Sequence, residues 1–372
     1  MADWSQLPPE LLLLIGKRLD TRFDILRFRS VCSYWRSSVS VPPKVYPYPF
    51  PTHLPSNTFG RCENYLSDIT RHTLYLIRPS HGNQTQAPAC WLVKISDGMG
   101  LFNPLTDSEL KLIPDNFSLD LNKFLVIELG HEYTVRRGEY IDHPLEPQHR
   151  DYIQKLVYSR CTDRDGFIML TRLSWYRLAS LRSGENDWTL LEPSVYGYHI
   201  ISFNGKFYVM EKRGRTIVVD QSLNVSFLGY IGSWSSIKWL VQCVDNLLAV
   251  EMLYDSDGES RVRYGRLVRE NVVGFKVFKM NEEEQKWDEM ESLRDQILFL
   301  DYRQAISASA FQFGWGRGNL IFFSECVSGY AVSEDRRMFV FDMETGTASP
   351  VEDCSAYCNL IWPPPRWVTS PE

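Results

Sequence analysis

Asn204-Gly-Lys-Phe-Tyr-Val-Met210, followed by Thr216-Ile-Val-Val-Asp220, is the stretch on which the fold turns. Asn-Gly is a turn dipeptide, because both residues tolerate positive φ. The run after it is rich in aromatic and β-branched residues, too short for a helix, and bounded by turn formers. That reads as a strand. The second run is another strand and ends in a polar turn. The same two-part unit recurs along the chain. First parts are Asp165-Gly-Phe-Ile-Met-Leu170, Asp245-Asn-Leu-Leu-Ala-Val250 and Gly318-Asn-Leu-Ile-Phe-Phe323. Second parts are Trp91-Leu-Val-Lys-Ile-Ser96, Tyr176-Arg-Leu-Ala-Ser-Leu181, Phe275-Lys-Val-Phe-Lys-Met280 and Met338-Phe-Val-Phe-Asp342. A third short strand with a tryptophan sometimes follows, at Asp187-Trp188 and Lys286-Trp287.

The first two intervals between units are about 40 residues, the length of one propeller blade. The last is longer and requires an insertion, for which the charged stretch 255–271 is the candidate. Each unit is a meander that cannot bury both faces alone. Stacking such sheets around an axis solves this and leaves short edges. The expectation is a mainly β chain whose residues 59–372 form a β-propeller-like, target-binding domain of five to seven blades. An irregular β-sandwich or two small β-domains is the alternative. Aromatics at 13% of 372 residues agree with a strand-rich body.

Ahead of this domain the periodicity is helical. Leu7-Pro-Pro-Glu10 reads as a helix start, with proline in the first turn and Glu10 at the positive end of the helix dipole. Leu11, Leu12, Ile15 and Leu19 form a stripe that Leu13 and Leu14 widen over much of the circumference. Thr21 with Asp24 resembles a capping box. A second helix is expected from about Asp24 to Ser37, with Ile25, Phe28, Cys32 and Trp35 on one face and Leu26 and Val31 beside it. About 40 residues cannot bury enough surface to be robust alone. Residues 1–40 therefore read either as a module completed by another protein or as a hairpin packed on its own downstream domain. Six prolines in residues 41–58 make that segment an extended spacer.

The Leu-Pro start, the acidic residue, the Leu/Ile helix, and the Val31-Cys-Ser-Tyr-Trp-Arg36 end resemble the F-box over the whole motif. The resemblance implies docking on a Skp-family adaptor, with Leu7, Pro8, Leu11, Leu12, Ile15, Leu19, Ile25, Leu26, Val31 and Trp35 forming or supporting the interface. Phe28 and Cys32 would pack within the module. The larger domain is similar to the C-terminal β domain of a plant F-box family related to kelch-like propellers. That similarity rests on Leu101-Phe-Asn-Pro-Leu-Thr106, Arg317-Gly-Asn-Leu-Ile-Phe-Phe323, Met338-Phe-Val-Phe-Asp-Met-Glu-Thr-Gly346 and Trp362-Pro-Pro-Pro-Arg-Trp367. Residues 115–160 fit it least. The implied role is substrate receptor of an SCF ubiquitin ligase, linked through the adaptor to cullin and RING subunits and binding an unidentified target protein. An adaptor-bound scaffold outside ubiquitination, or a propeller-fold enzyme, are the alternatives.

The residues offer no catalytic constellation. Seven histidines form no His-Glu-x-x-His pair, and Cys354 and Cys358 have no second close pair to complete a zinc site. His131-Glu132, His143 and His149 share one polar stretch but read as solvated loop residues. There is no Gly-x-Ser-x-Gly elbow and no phosphate loop. Gly314-Trp-Gly-Arg-Gly318 reads as an inter-strand turn and Glu282-Glu-Glu284 as a solvated one. No cofactor, metal or catalytic residue is expected, and ubiquitin transfer falls to partner subunits. A net charge of −6 argues against a nucleic-acid partner. Leu11–Ile15 is far shorter than the ~20 apolar residues of a membrane span and lacks a basic segment before it, so neither membrane insertion nor secretion is expected. Eight scattered cysteines read as free thiols in the nucleus or cytoplasm.

Overall fold

The computed structural model describes residues 7–16, 18–19, 22–40, 53–54, 67–79, 90–96, 100–105, 109–110, 123–136, 153–161, 166–172, 177–185, 188–191, 197, 199–211, 213–232, 236–254, 261–263, 266–268, 272–301, 305–324, 337–354, 357 and 360–361. Three short helices open the chain: α1 (Pro9–Gly16), α2 (Arg22–Ser30) and α3 (Ser33–Ser38). The single second helix expected over Asp24–Ser37 is thus broken in two. Cys32 takes extended backbone angles, φ −161° and ψ 171°, and its sulfur accepts the Trp35 N–H as the N-cap of α3. A residue that caps cannot also continue the preceding helix. Thr21 of the expected capping box lies outside the described residues.

Strands follow. The first sheet holds β1 (His53–Leu54), β2 (Ser67–Pro79), β3 (Trp91–Ser96), β4 (Leu101–Phe102), β5 (Phe124–Arg136), β6 (Ile153–Arg160), β7 (Phe167–Arg172), β8 (Leu178–Arg182) and β9 (Thr189–Leu190). Its order is β4-β3-β2-β5-β6-β7-β8-β9, with β1 on β2. Two meanders are fused in it, because the end of β5 pairs with the start of β6 over Tyr133–Arg136 and Ile153–Leu156. The next sheet is β10 (His199–Phe203), β11 (Lys206–Met210), β12 (Arg215–Val219) and β13 (Val225–Tyr230), in that order. The third pairs β14 (Ile237–Cys243), β15 (Asn246–Tyr254), β18 (Val272–Asn281) and β19 (Lys286–Met290). Between β15 and β18 a two-stranded ribbon, β16 (Arg261–Arg263) and β17 (Arg266–Val268), is inserted where the charged stretch stands. The last sheet comprises β20 (Gln296–Leu300), β21 (Ala305–Ser309), β22 (Leu320–Ser324), β23 (Met338–Asp342) and β24 (Thr347–Pro350), in the order β21-β20-β22-β23-β24. Here β20 and β22 run parallel. They are joined through β21 and the four-residue α4 (Ala310–Phe313), which Gly314 ends at φ 73°.

Among the described residues, five meanders close into a ring. Their innermost strands touch in the cyclic order β5, β6, β10, β14, β21 and back to β5. Hydrophobic cores fill the gaps between neighbouring sheets. Along β15, Leu248, Val250 and Met252 face the last sheet, while Leu247 and Ala249 face β10–β13. Along β22, Ile321 and Phe323 face β14–β18, while Leu320 and Phe322 meet Leu74, Leu76 and Leu92 of the first sheet. Every such strand is buried on both faces, which is why it reads as a continuous apolar run and not as an alternating one. The ring is tied shut where the Trp91 indole Nε1 donates to the Ile361 carbonyl at 3.1 Å and the Leu92 N–H donates to Leu360 at 2.6 Å. The fold is mainly β, with a small helical N-terminal module and a β-propeller domain.

The recurrent units all fall on strands, with first parts on β7, β11, β15 and β22 and second parts on β3, β8, β12, β18 and β23; in the last sheet they stand one place further out, because both β21 and β20 precede β22. The long strands β2 and β5 were not anticipated. Of the proline-rich stretch 41–58, only His53 and Leu54 are described, and they pair with Asp68 and Ser67 as β1. Those two residues are part of the sheet.

Candidate interaction surface

The three N-terminal helices enclose a core of their own. Leu12, Ile25, Phe28 and Val39 are buried in it, with Leu7, Leu19 and Trp35 half-buried around them. The rings of Phe28 and Trp35 lie 4.5 Å apart between centroids. Gly16 is required for the close approach of α1, since a Cβ there would sit 2.8 Å from Val39 Cγ1. Arg29 latches α2 to the end of α3 by donating from Nη1 to the Arg36 carbonyl at 2.7 Å and to that of Val39. Arg27 donates from Nη2 to the Val126 carbonyl on β5 at 3.2 Å, so α2 is anchored to the first sheet.

This core uses only one side of α1. Leu12 is 0% exposed, whereas Leu11, Leu13, Leu14 and Ile15 are exposed, Leu14 at 57%. Val31, also 57% exposed, and Tyr34 leave further apolar surface open around the α2–α3 break. A run of exposed large side chains on one short helix marks an interaction surface.

The residues expected at the interface therefore divide. Pro8, Leu11, Ile15 and Val31 are exposed. Leu7, Leu19, Leu26 and Trp35 are half-buried. Leu12 and Ile25 are in the module's own core, so they can support a partner-binding face but not form it. Phe28 is buried in the module's own core, and half-buried Cys32 caps α3. Leu13, Leu14 and Tyr34 were missed as surface residues. The signal was present in α1, since a helix apolar around most of its circumference cannot bury every side in a three-helix module.

Of the polar stretch weighed for chemistry, only His131 and Glu132 are described, and they lie on strand β5 and not in a solvated loop, because both belong to the run that pairs with β2. His131 Nδ1 lies 3.6 Å from Glu128, which also takes Arg71 at 3.1 Å. The hydrogen bond from His131 is the largest influence holding Glu128 below the usual carboxylate range. Glu132 instead pairs with Lys94. His143 and His149 lie outside the described residues. Among the described residues, no group of three His, Cys, Asp or Glu side chains is placed to hold a metal, and no helix is long and apolar enough to cross a membrane.

Comparison with known families fits these two parts. Residues 4–48 match the F-box-like family, and residues 44–342 match the KIB1-4 beta-propeller family. The chain belongs to the F-box proteins with a KIB1-4 beta-propeller. Among its relatives, F-box protein SKIP23 of Arabidopsis thaliana is 32% identical over 402 residues, covering 100% of this chain and 96% of that protein. The putative F-box/kelch-repeat protein At5g24040 of the same plant is 29% identical and covered in full on both sides. The F-box and propeller matches overlap at residues 44–48, within the proline-rich stretch.

Proposed function

We propose that this F-box protein is the substrate-recognition subunit of an SCF ubiquitin ligase. Its N-terminal helices dock on a Skp-family adaptor, and through that adaptor on cullin and RING subunits. Its propeller holds a target protein, and the chain itself contributes no chemistry. The observation that carries this reading is the face of Leu11, Leu13, Leu14 and Ile15, open to solvent while the module's own core is closed by Leu12. Apolar anchors of this kind typically carry most of an interface's energy. The propeller suits the other half of the task, since loops on a rigid scaffold are where recognition residues concentrate. Affinity purification of the wild type beside a Leu7→Ala/Pro8→Ala variant tests the assignment. Adaptor and cullin are expected to be depleted from the variant's eluate, while target proteins held by the propeller are retained. Equal recovery of adaptor with both forms rejects it.

A further inference from the structure

An open sheet edge is a template for pairing with another chain, and folded proteins usually blunt it. Five strands end the sheets on the outside of the ring: β4, β9, β13, β19 and β24. Of these, β4 and β9 are two residues long, β24 ends in Pro350, and β19 reads Lys286-Trp-Asp-Glu-Met290, with three charges. Strand β13 reads Val225-Ser-Phe-Leu-Gly-Tyr230, with neither charge nor proline. Among the described residues, no strand pairs with its far edge.

A bulge shapes β13. Ile217 pairs with Phe227 and Thr216 with Gly229, so Leu228 is the extra residue. In an even strand, side chains three apart point to opposite faces. Here Phe227 and Tyr230 meet, with 5.3 Å between ring centroids, while Leu228 packs against the core between the second and third sheets. Bulges at sheet edges re-aim side chains in this way. The two rings are left 52% and 65% exposed. Arg215, opposite Tyr230 on β12, holds its guanidinium over the Phe227 ring at 5.6 Å. Its side chain is 43% exposed, whereas that of Glu211, 3.7 Å away, is 15% exposed. The cation is therefore the outward member of the pair, beside an uncharged strand.

We propose that β13 is the edge on which the propeller holds an extended segment of its target. The inference rests on the reading of the propeller as the target-binding half of the receptor. The segment pairs with residues 225–227 as an added strand, lays a large apolar side chain on the Phe227–Tyr230 pair, and sets a carboxylate against Arg215. Strand addition draws affinity from backbone hydrogen bonds and specificity from alternate side chains. The bulge limits the straight edge to these three residues, about 10 Å. A second rigid copy meeting it there buries far less than the ~800 Å² per partner of a standard interface. A flexible segment escapes that limit, because it can bend past Leu228 and cover both rings.

Selection of a phage-displayed library of random dodecapeptides on the immobilised full chain, with depletion on a Phe227→Ala/Tyr230→Ala variant, tests this. Both replaced side chains are exposed, so the variant should keep the wild-type urea unfolding curve. Surviving peptides should share an acidic residue beside alternating apolar ones. A synthetic copy of the most enriched peptide should bind the wild type saturably by fluorescence anisotropy. It should bind the double variant at least about tenfold more weakly, and Arg215→Gln about two- to fivefold more weakly. Saturation with it should slow amide exchange in β13. If no peptide survives the depletion, or the survivor leaves β13 exchange unchanged, the proposal is overturned. Concentration-dependent dimerisation of the free chain that the double variant abolishes overturns it too, since the edge would then belong to a second copy. Affinity for a Skp-family adaptor, measured on the same preparations, separates the two readings: selection that fails while the adaptor still binds overturns this edge and leaves the ligase assignment standing.

Discussion

Removing the carboxylate of Glu251 should destabilise the propeller far more than removing Glu251 and Lys238 together. The two residues face each other across β14 and β15, and each side chain is 2% exposed. Lys238 Nζ lies 3.6 Å from Glu251 Oε1. The Ser236 hydroxyl joins them, donating to Glu251 and accepting from Lys238 at 2.6 Å. Gly232, at φ +61°, clears the space, since a Cβ there would fall 2.0 Å from the carboxylate. At an effective dielectric of about 20, two unit charges at this separation attract by roughly 4–5 kcal/mol. Burial opposes that gain, and Lys238 is held below its ordinary value because desolvation outweighs the attraction of Glu251. The pair as a whole is then close to neutral for stability, while either charge left alone is costly. Glu251→Gln and Lys238→Met should each lose about 3–5 kcal/mol at neutral pH, and the double variant much less than their sum. Urea unfolding followed by tryptophan fluorescence measures this. The pH dependence has a definite sign. Losing Glu251 lowers the folded-state value of Lys238 further, whereas the unfolded lysine keeps its proton up to its ordinary value of 10.5. Between those values the unfolded state binds more protons, so stability rises with pH. The deficit of Glu251→Gln should be complete below that window and shrink as pH climbs towards its top. Single variants that cost under about 1 kcal/mol and simply add would refute the reasoning.

Three other outcomes follow from the packing. Phe322, 0% exposed and stacked 5.0 Å from Phe299, belongs to the core that joins the last sheet to the first; Phe322→Ala should cost about 3–5 kcal/mol, read as a lower urea midpoint at unchanged slope. Burial pushes the Cys90 thiol up to about 12 against the opposing pull of Arg78, and its Sγ donates to the Phe313 carbonyl at 3.1 Å; a thiol reagent at pH 8 should modify Cys161 while leaving Cys90 intact until the protein unfolds, and equal labelling of both in the native state would contradict this. Gly16→Ala should lower the stability of the helical module by about 1–3 kcal/mol through collision with Val39, seen as faster amide exchange in α1–α3 with β14–β15 unchanged.

The propeller was legible because its strands carry two signals at once. Turn residues such as Asn204-Gly205 mark where each strand starts, and the β-rich runs that follow are apolar on every residue because both faces meet another sheet. Where one signal is missing the reading fails. Strand β5 opens with Phe124-Leu-Val-Ile127 but continues through Glu128, Gly130 and His131, where Glu128 and His131 pair with each other, so its period dissolves into what looks like a polar stretch. Strand β2 has the same character, with Arg71 and His72 in its middle and the apolar run only from Leu74. In the helical module, composition announced an interface, but spacing alone could not say which leucine faces inward. Leu12 is chosen by the geometry of Val39 and Gly16, contacts that close only after three helices have packed. The break at Cys32 was hidden for a related reason. Ile25, Phe28 and Trp35 keep helical spacing across it because α3 folds back onto the same core.

The most direct test of the account is the dissociation constant of the purified full chain for a purified Skp-family adaptor, measured for the wild type and for Leu13→Asp/Leu14→Asp. These two side chains stand outside the module core, so the variant should keep the wild-type unfolding curve and yet bind at least about a hundredfold more weakly. A variant that folds normally and binds the adaptor as tightly as the wild type would show that the open leucine face is not where the ligase is held.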